Sequence, residues 1–137
     1  MAVTNAETQV VWAAANSKSV AANTAETSDA FTIDATCVTL GITCKVDNDG
    51  TPAAGDTVDF YLLGATYDPD GAGAVEYGTT TQDTWLCRLD TSISDPAQAN
   101  IVMPCGITGG KIYAKNNSPG GGRAQTVSVA ILEKRLA

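Results

Sequence analysis

Residues 37–46, CVTLGITCKV, set Val38, Leu40, Ile42 and Cys44 against Thr39, Gly41, Thr43 and Lys45. An alternation of period two places the apolar set on one face of an extended chain and the polar set on the other. Residues 47–50, DNDG, tolerate the positive φ of a tight turn. Residues 57–63, TVDFYLL, then resume the pattern with Val58, Phe60 and Leu62 together. The two runs read as antiparallel strands of a hairpin with a loop longer than two residues.

Outward from this pair, strand signals recur between turn residues, and no 3.6-residue apolar stripe is sustained. Toward the C-terminus they cover Thr84–Leu89, Ala99–Met103, Lys111–Lys115 and Thr126–Leu132; toward the N-terminus, Ala30–Ile33, Lys18–Ala22 and Thr8–Ala14. Residues 64–82 are rich in Gly, Asp and Thr and read as an exposed excursion, and residues 116–122, NNSPGGG, as a loop. The chain has 137 residues, 44% of them hydrophobic and 17% charged, which suits one globular domain. The expected fold is therefore all-β: a single antiparallel β-sandwich, jelly-roll-like, of about eight strands. The sandwich is assigned to residues 28–137 and an extended N-terminal arm to residues 1–27, where Ala, Thr, Asn and Ser dominate. Val10, Val11 and Trp12 form the one compact apolar patch of that arm. They are the candidate contact with another copy or with a larger partner. The alternative is that Thr8–Ala14 adds an edge strand to its own sheet.

The chain contains no His, which removes Ser–His–Asp and Cys–His mechanisms and imidazole metal sites. Asp47-x-Asp49-Gly50 and Asp68-x-Asp70-Gly71 place carboxylates two apart. Neither continues as an EF-hand, and both read as turns. Asp56 and Asp59 are three apart on an expected strand, so they face opposite sides and make a poor pair for glycoside hydrolysis. Gly109-Gly110-Lys111 lacks the first glycine and the Ser or Thr of a phosphate-binding loop. Asn116-Asn117-Ser118 matches a glycosylation sequon but has no secretory context. Trp12 and Trp85 read as core or interface anchors. No catalytic, cofactor or metal site is assigned, and the chain is read as a non-enzyme.

The four cysteines, Cys37, Cys44, Cys87 and Cys105, include no CxxC pair and are expected as free thiols, with one disulfide between non-neighbours as the alternative. Cys37 and Cys44 are an odd number apart, so a straight strand points them to opposite faces, while Cys87 is expected in the core beside Trp85 and Leu89. The opening MAVTNAETQVVWAAANSKSV has no basic n-region, so no signal peptide is expected. No run approaches the ~18 apolar residues of a membrane span. The net charge is -7. All acids except Glu7 and Glu133 fall within residues 26–95, where Lys45 and Arg88 are the only bases. Lys111, Lys115, Arg123, Lys134 and Arg135 follow. That balance disfavours nucleic acid as a partner. The asymmetry fits either solvated turns before one basic terminal strand, or head-to-tail docking of acidic middle on basic end.

The segments VDNDGTPAAGDTVDFYLL (Val46–Leu63), DPDG (Asp68–Gly71), TWLCRLDTS (Thr84–Ser92), NIVMP (Asn100–Pro104), KIYAKNNS (Lys111–Ser118) and the closing VSVAILEKR resemble the head decoration, or capsid cement, proteins of tailed bacteriophages. The resemblance spans residues 28–135 and rests on strand-and-turn spacing and the phrase GDTVDFYLL. It implies a jelly roll or related sandwich, a homo-oligomer (a trimer) at capsid symmetry axes, and an N-terminal arm touching neighbours. The implied partner is the major capsid protein, and the implied location is the capsid exterior of a virion after synthesis in the host cytoplasm. A tail or neck component and a carbohydrate-binding or adhesion module are the rival readings.

Overall fold

The computed structural model describes residues 2–67, 75–77 and 84–136. Its strands are β1 (Val3–Gln9), β2 (Lys18–Val20), β3 (Ala25–Thr27), β4 (Phe31–Thr32), β5 (Cys37–Asn48), β6 (Thr57–Tyr67), β7 (Val75–Tyr77), β8 (Thr84–Asp90), β9 (Ala97–Pro104), β10 (Gly109–Asn116) and β11 (Gln125–Leu136). All the pairings among the described residues are antiparallel. The first sheet runs β1-β11-β5-β9, with β2 beside β1 on the same flank of β11. The second runs β3-β10-β6-β7, with β4 beside β3 and β8 beside β7.

Taking β1/β2, β3/β4 and β7/β8 as three interrupted strands gives the first sheet the first, last, third and sixth strands. The second sheet takes the second, seventh, fourth and fifth. Two sheets interleaved in that order are a jelly roll, the two-sheet closure described for capsid and lectin domains. The core between them is built from the even positions of β5 and β6. Leu40, Ile42, Cys44 and Val46 face Val58, Phe60 and Leu62, with Val127, Val129 and Ile131 of β11 and Ile112 of β10 beside them.

Three expectations change. β5 and β6 do not form a hairpin. β5 pairs with β11 and β9, whereas β6 pairs with β10, β8 and β7 in the opposite sheet. Alternation tells which face of a strand is buried, and the loop after Asn48 is long enough to cross the roughly 10 Å between packed sheets. Residues 1–27 are not an arm outside the sandwich. β1 pairs with β11 from Val3↔Leu136 to Gln9↔Ala130, and β2 and β3 join the two sheets. The boundary expected after residue 27 therefore falls inside the fold, because β11 exposes a full ladder that the N-terminal segment covers. Finally, residues 64–67 and 75–77 continue β6 and form β7. The excursion's centre, including Asp68-x-Asp70-Gly71, lies outside the described residues.

Among the described residues two β-bulges break the period. Thr39 pairs with Lys134 and Cys37 with Arg135, leaving Val38 as the extra residue. Phe60 pairs with Cys87 and Tyr61 with Trp85, leaving Leu86 as the extra residue. A bulge re-aims every side chain beyond it. Cys37 thereby shares the inner side with Cys44, contrary to the straight-strand reading, and Trp85 turns outward while Leu86 and Leu89 stay in the core.

Candidate functional site

The outer face of the second sheet carries a row of aromatics that sequence reading left in the core or unassigned. On β6 the odd residues Asp59, Tyr61 and Leu63 oppose the buried Val58, Phe60 and Leu62. Tyr61 sits opposite Trp85 on one side and Tyr113 on the other. The Tyr61–Trp85 ring centroids are 5.5 Å apart and the Tyr61–Tyr113 centroids 6.0 Å, both edge to face. Such offsets suit the ring quadrupoles and hold the rings in fixed orientations. Trp85 remains 52% exposed.

Charged rows border the aromatic row. On one side Asp59 lies between Arg88 and Lys115. Arg88 donates to both carboxylate oxygens of Asp59, at 2.6 and 2.8 Å, and Asn117 Nδ2 adds a third bond at 3.0 Å. Burial alone would raise the Asp59 carboxyl, but the Arg88 and Asn117 donors outweigh it and hold the group below its ordinary range. On the other side Lys111 pairs with Leu63 and sets its ammonium 4.9 Å from the Tyr77 ring centre. Lys111 and Lys115 thus stand on this face beside the Arg88–Asp59 pair, with Asp90 of β8, opposite Thr57, at its end. It is an aromatic, cation-edged platform on a rigid sheet.

The sequence-derived contact residues lie elsewhere. Val10 and Trp12 are 0% and 2% exposed and belong to the protein's own core; only Val11, at 37%, reaches the surface. After β1 the chain dips inward, then reverses at Ala13-Ala14, where Trp12 and Ala15 exchange backbone hydrogen bonds of 2.7 and 3.1 Å. Trp12 plugs one region of the sandwich, with its Nε1 unpartnered among the described residues.

The other candidates serve the scaffold. Asp49 accepts the hydroxyls of Ser19 and Thr126 at 2.8 and 2.6 Å, tying the β5–β6 loop to β2 and β11. Asp56, fully buried, accepts Arg123 through both oxygens at 2.5 and 2.9 Å, together with Asn48 Nδ2 and the Ala53 amide. Thr91, Gln125, Asn116 and Ser118 extend that network through the end of the sandwich. Asp56 and Asp59 thus answer to different arginines. Gly109 and Gly110 admit β4: a Cβ on Gly109 would stand 2.4 Å from the Phe31 carbonyl oxygen. Asn116 is buried, donating to the Val20 and Arg123 carbonyls. The inward Glu133 accepts Arg135 Nε at 2.7 Å. Arg88, Arg123 and Arg135 are therefore all engaged within the chain, which leaves the exposed basic character to lysines.

No protein-family model matches the chain, and no curated protein matches its sequence. Among solved structures, the acidic stable capsid of Helicobacter pylori bacteriophage KHP30 is similar at 12% identity and a TM-score of 0.43, over 95% of this chain and 93% of that one. A Kashmir bee virus empty particle at acidic pH is similar at 10% identity and a TM-score of 0.39, over 97% of this chain and 90% of that one. A family GH115 4-O-methyl-α-glucuronidase with specificity for decorated arabinogalactans matches at 13% identity and a TM-score of 0.41, over 93% of this chain but 16% of the enzyme.

Proposed function

We propose that this chain is a structural virion protein which binds the outside of a tailed-phage capsid as a symmetric oligomer, a trimer, and stabilises it. The observation that carries the reading is the Trp85–Tyr61–Tyr113 row edged by Lys111 and Lys115. Trp85 is half exposed and is held edge to face on the half-buried Tyr61, and such aromatics dominate protein interfaces, since they bury much area at little entropic cost. The basic edge suits an acidic surface, which the middle of a neighbouring copy or the capsid floor would present. The net charge of -7 disfavours contact with packaged DNA and so supports an exterior position. Three weak contacts per trimer add through avidity.

The test is sedimentation with undecorated capsids. The native protein co-sediments and scatters light as a trimer, while Trp85→Ala and Tyr113→Ala keep the fold and lose capsid binding by at least about tenfold, a loss of ~1.4 kcal/mol. A native protein that stays monomeric and fails to sediment overturns the proposal. The same aromatic row favours a second reading, a carbohydrate-binding module. Trp12 is buried, so a change in tryptophan emission on adding oligosaccharide would report on Trp85. Saturable quenching by sugars without capsid binding would replace the first reading by the second.

A further inference from the structure

An open sheet leaves unpaired ladder groups along its edges, and folded chains blunt such edges against pairing with other chains. Among the described residues the other edges are blunted. β2 and β3 are three residues long and β4 two, β8 carries the Leu86 bulge and Arg88, and β9 is bounded by Pro96 and Pro104. β1 is not blunted. It runs for seven residues along β11 without a bulge, a proline or a lysine. Among the described residues no strand pairs with its far side.

The open groups follow from the ladder. Val10 donates to the Val129 carbonyl at 2.9 Å, and the bonding direction alternates along an antiparallel pair. Thr4, Ala6 and Thr8 therefore bond β11, whereas Val3, Asn5, Glu7 and Gln9 turn their N–H and C=O groups outward. The side chains are open as well. Ala6 and Thr8 lie opposite the buried Glu133 and Ile131, yet Thr8 is exposed and Ala6 only half-buried. The cover that the second sheet gives β11 stops short of β1.

We propose that β1 is a docking edge for a second copy of this chain, paired antiparallel with the same strand about a two-fold axis through Ala6. Such a contact is isologous: each copy offers the groups that the other receives. The register sets Val3 of one copy opposite Gln9 of the other, and Asn5 opposite Glu7. All four are outward-bonding residues, so every N–H and C=O along the edge finds a partner. Ala6 meets Ala6 on the axis, a non-hydrogen-bonded position where the chains come closest and a methyl fits. Thr4 meets Thr8 on either side of it, a favourable cross-strand pair.

The charges agree with this register. Glu7 is the one charged side chain of β1. It faces Asn5 of the second copy, and Lys134 of that copy is next in the same row. Centring the pair on Glu7 would set like charges face to face, and centring it on Asn5 would run Gln9 past the end of the strand. The two first sheets become one, β9-β5-β11-β1 continuing into β1-β11-β5-β9 of the second copy. This edge is separate from the Trp85 platform, and the contact is independent of the capsid reading. On a trimer it joins one trimer to the next.

Ala6→Cys in the full chain tests the register, because Cα atoms about 4.5 Å apart at such a position lie within the span of a disulfide. After mild oxidation, peptide mapping without reduction is expected to show the peptide around position 6 linked to its own copy. Thr4→Cys and Thr8→Cys are each expected to stay unlinked at the new thiol, and a mixture of the two to link. Asn5→Pro removes one outward N–H and leaves the bonds to β11 in place, so the fold and the melting temperature are expected to persist. The mass of the native protein by light scattering is expected to rise with concentration, from one copy to two or from three to six. Asn5→Pro should need at least about tenfold more protein for the same rise. Absence of the position-6 link, or a mass that does not change with concentration, overturns the proposal whatever the result with capsids. Self-linking of Thr8→Cys overturns the register. A position-6 link in a protein that fails to sediment with capsids upholds this contact and counts against the capsid reading alone.

Discussion

Asp56 stays charged in full burial because donors surround it: Arg123 through two bonds, Asn48 Nδ2 and the Ala53 amide. The Arg123 bond is the largest influence and holds the carboxyl far below its ordinary range, against the cost of burial. A carboxyl with a depressed folded pKa stabilises the fold above its unfolded value, near 4, and that contribution drains away as pH falls further. The native protein is therefore expected to lose denaturant stability below about pH 4. Asp56→Asn should have a shallower acid slope and, at pH 7, lower stability by roughly one charge-assisted hydrogen bond, about 2 kcal/mol, because the buried side chain no longer accepts Arg123 through two charged oxygens. Urea titrations across pH 2–7 check both points, and parallel curves for the two proteins would refute the assignment. Tyr61 shows what single residues reveal in sequence: its odd position among Val58, Phe60 and Leu62 already places it outside. Trp85 does not, because its outward aim depends on the extra residue Leu86.

Strands and turns differ in legibility for the same reason. β6, β11 and the part of β5 beyond the Val38 bulge alternate by period two and were readable, since burial of one face selects their side chains. Their partners were not readable, because alternation carries no sheet label; hence the hairpin expected of β5 and β6 is a crossing between sheets. The turn after Trp12 left no signal either. Ala13 and Ala14 both adopt positive φ, 48° and 72°, in a position where Asn-Gly is the usual pair. The run Thr8–Ala14 therefore read as one strand, although the strand ends at Gln9. Left-handed alanine costs about 1 kcal/mol. Ala13→Asn with Ala14→Gly is expected to relieve it and raise the melting temperature by a few degrees. A lower melting temperature by calorimetry would mean that the alanine methyls contribute packing that outweighs the strain.

At the scale of the whole molecule, β11 is the hub: it pairs with β5 along one side and with β1 and β2 along the other. Removing residues 1–12 would strip β1 from that hub and take Val10 and Trp12 from the core. Loss of a buried tryptophan alone costs about 3–5 kcal/mol, a large part of the total stability of a small domain. The truncated chain is expected to lose its cooperative unfolding transition by circular dichroism. A folded truncation that fails only in oligomer or capsid assembly would instead restore the free-arm reading. The place of β11 in the chain also governs the timing of folding. A ribosome extends a chain at about 5–20 residues per second. For the seconds between the emergence of β1 and that of β11, neither β1 nor β2 has the strand it will pair with, and β5 lacks one flank. The first sheet can close only after β11 is free. A chain interrupted before that point carries open edges, which expose it to proteases and to aggregation.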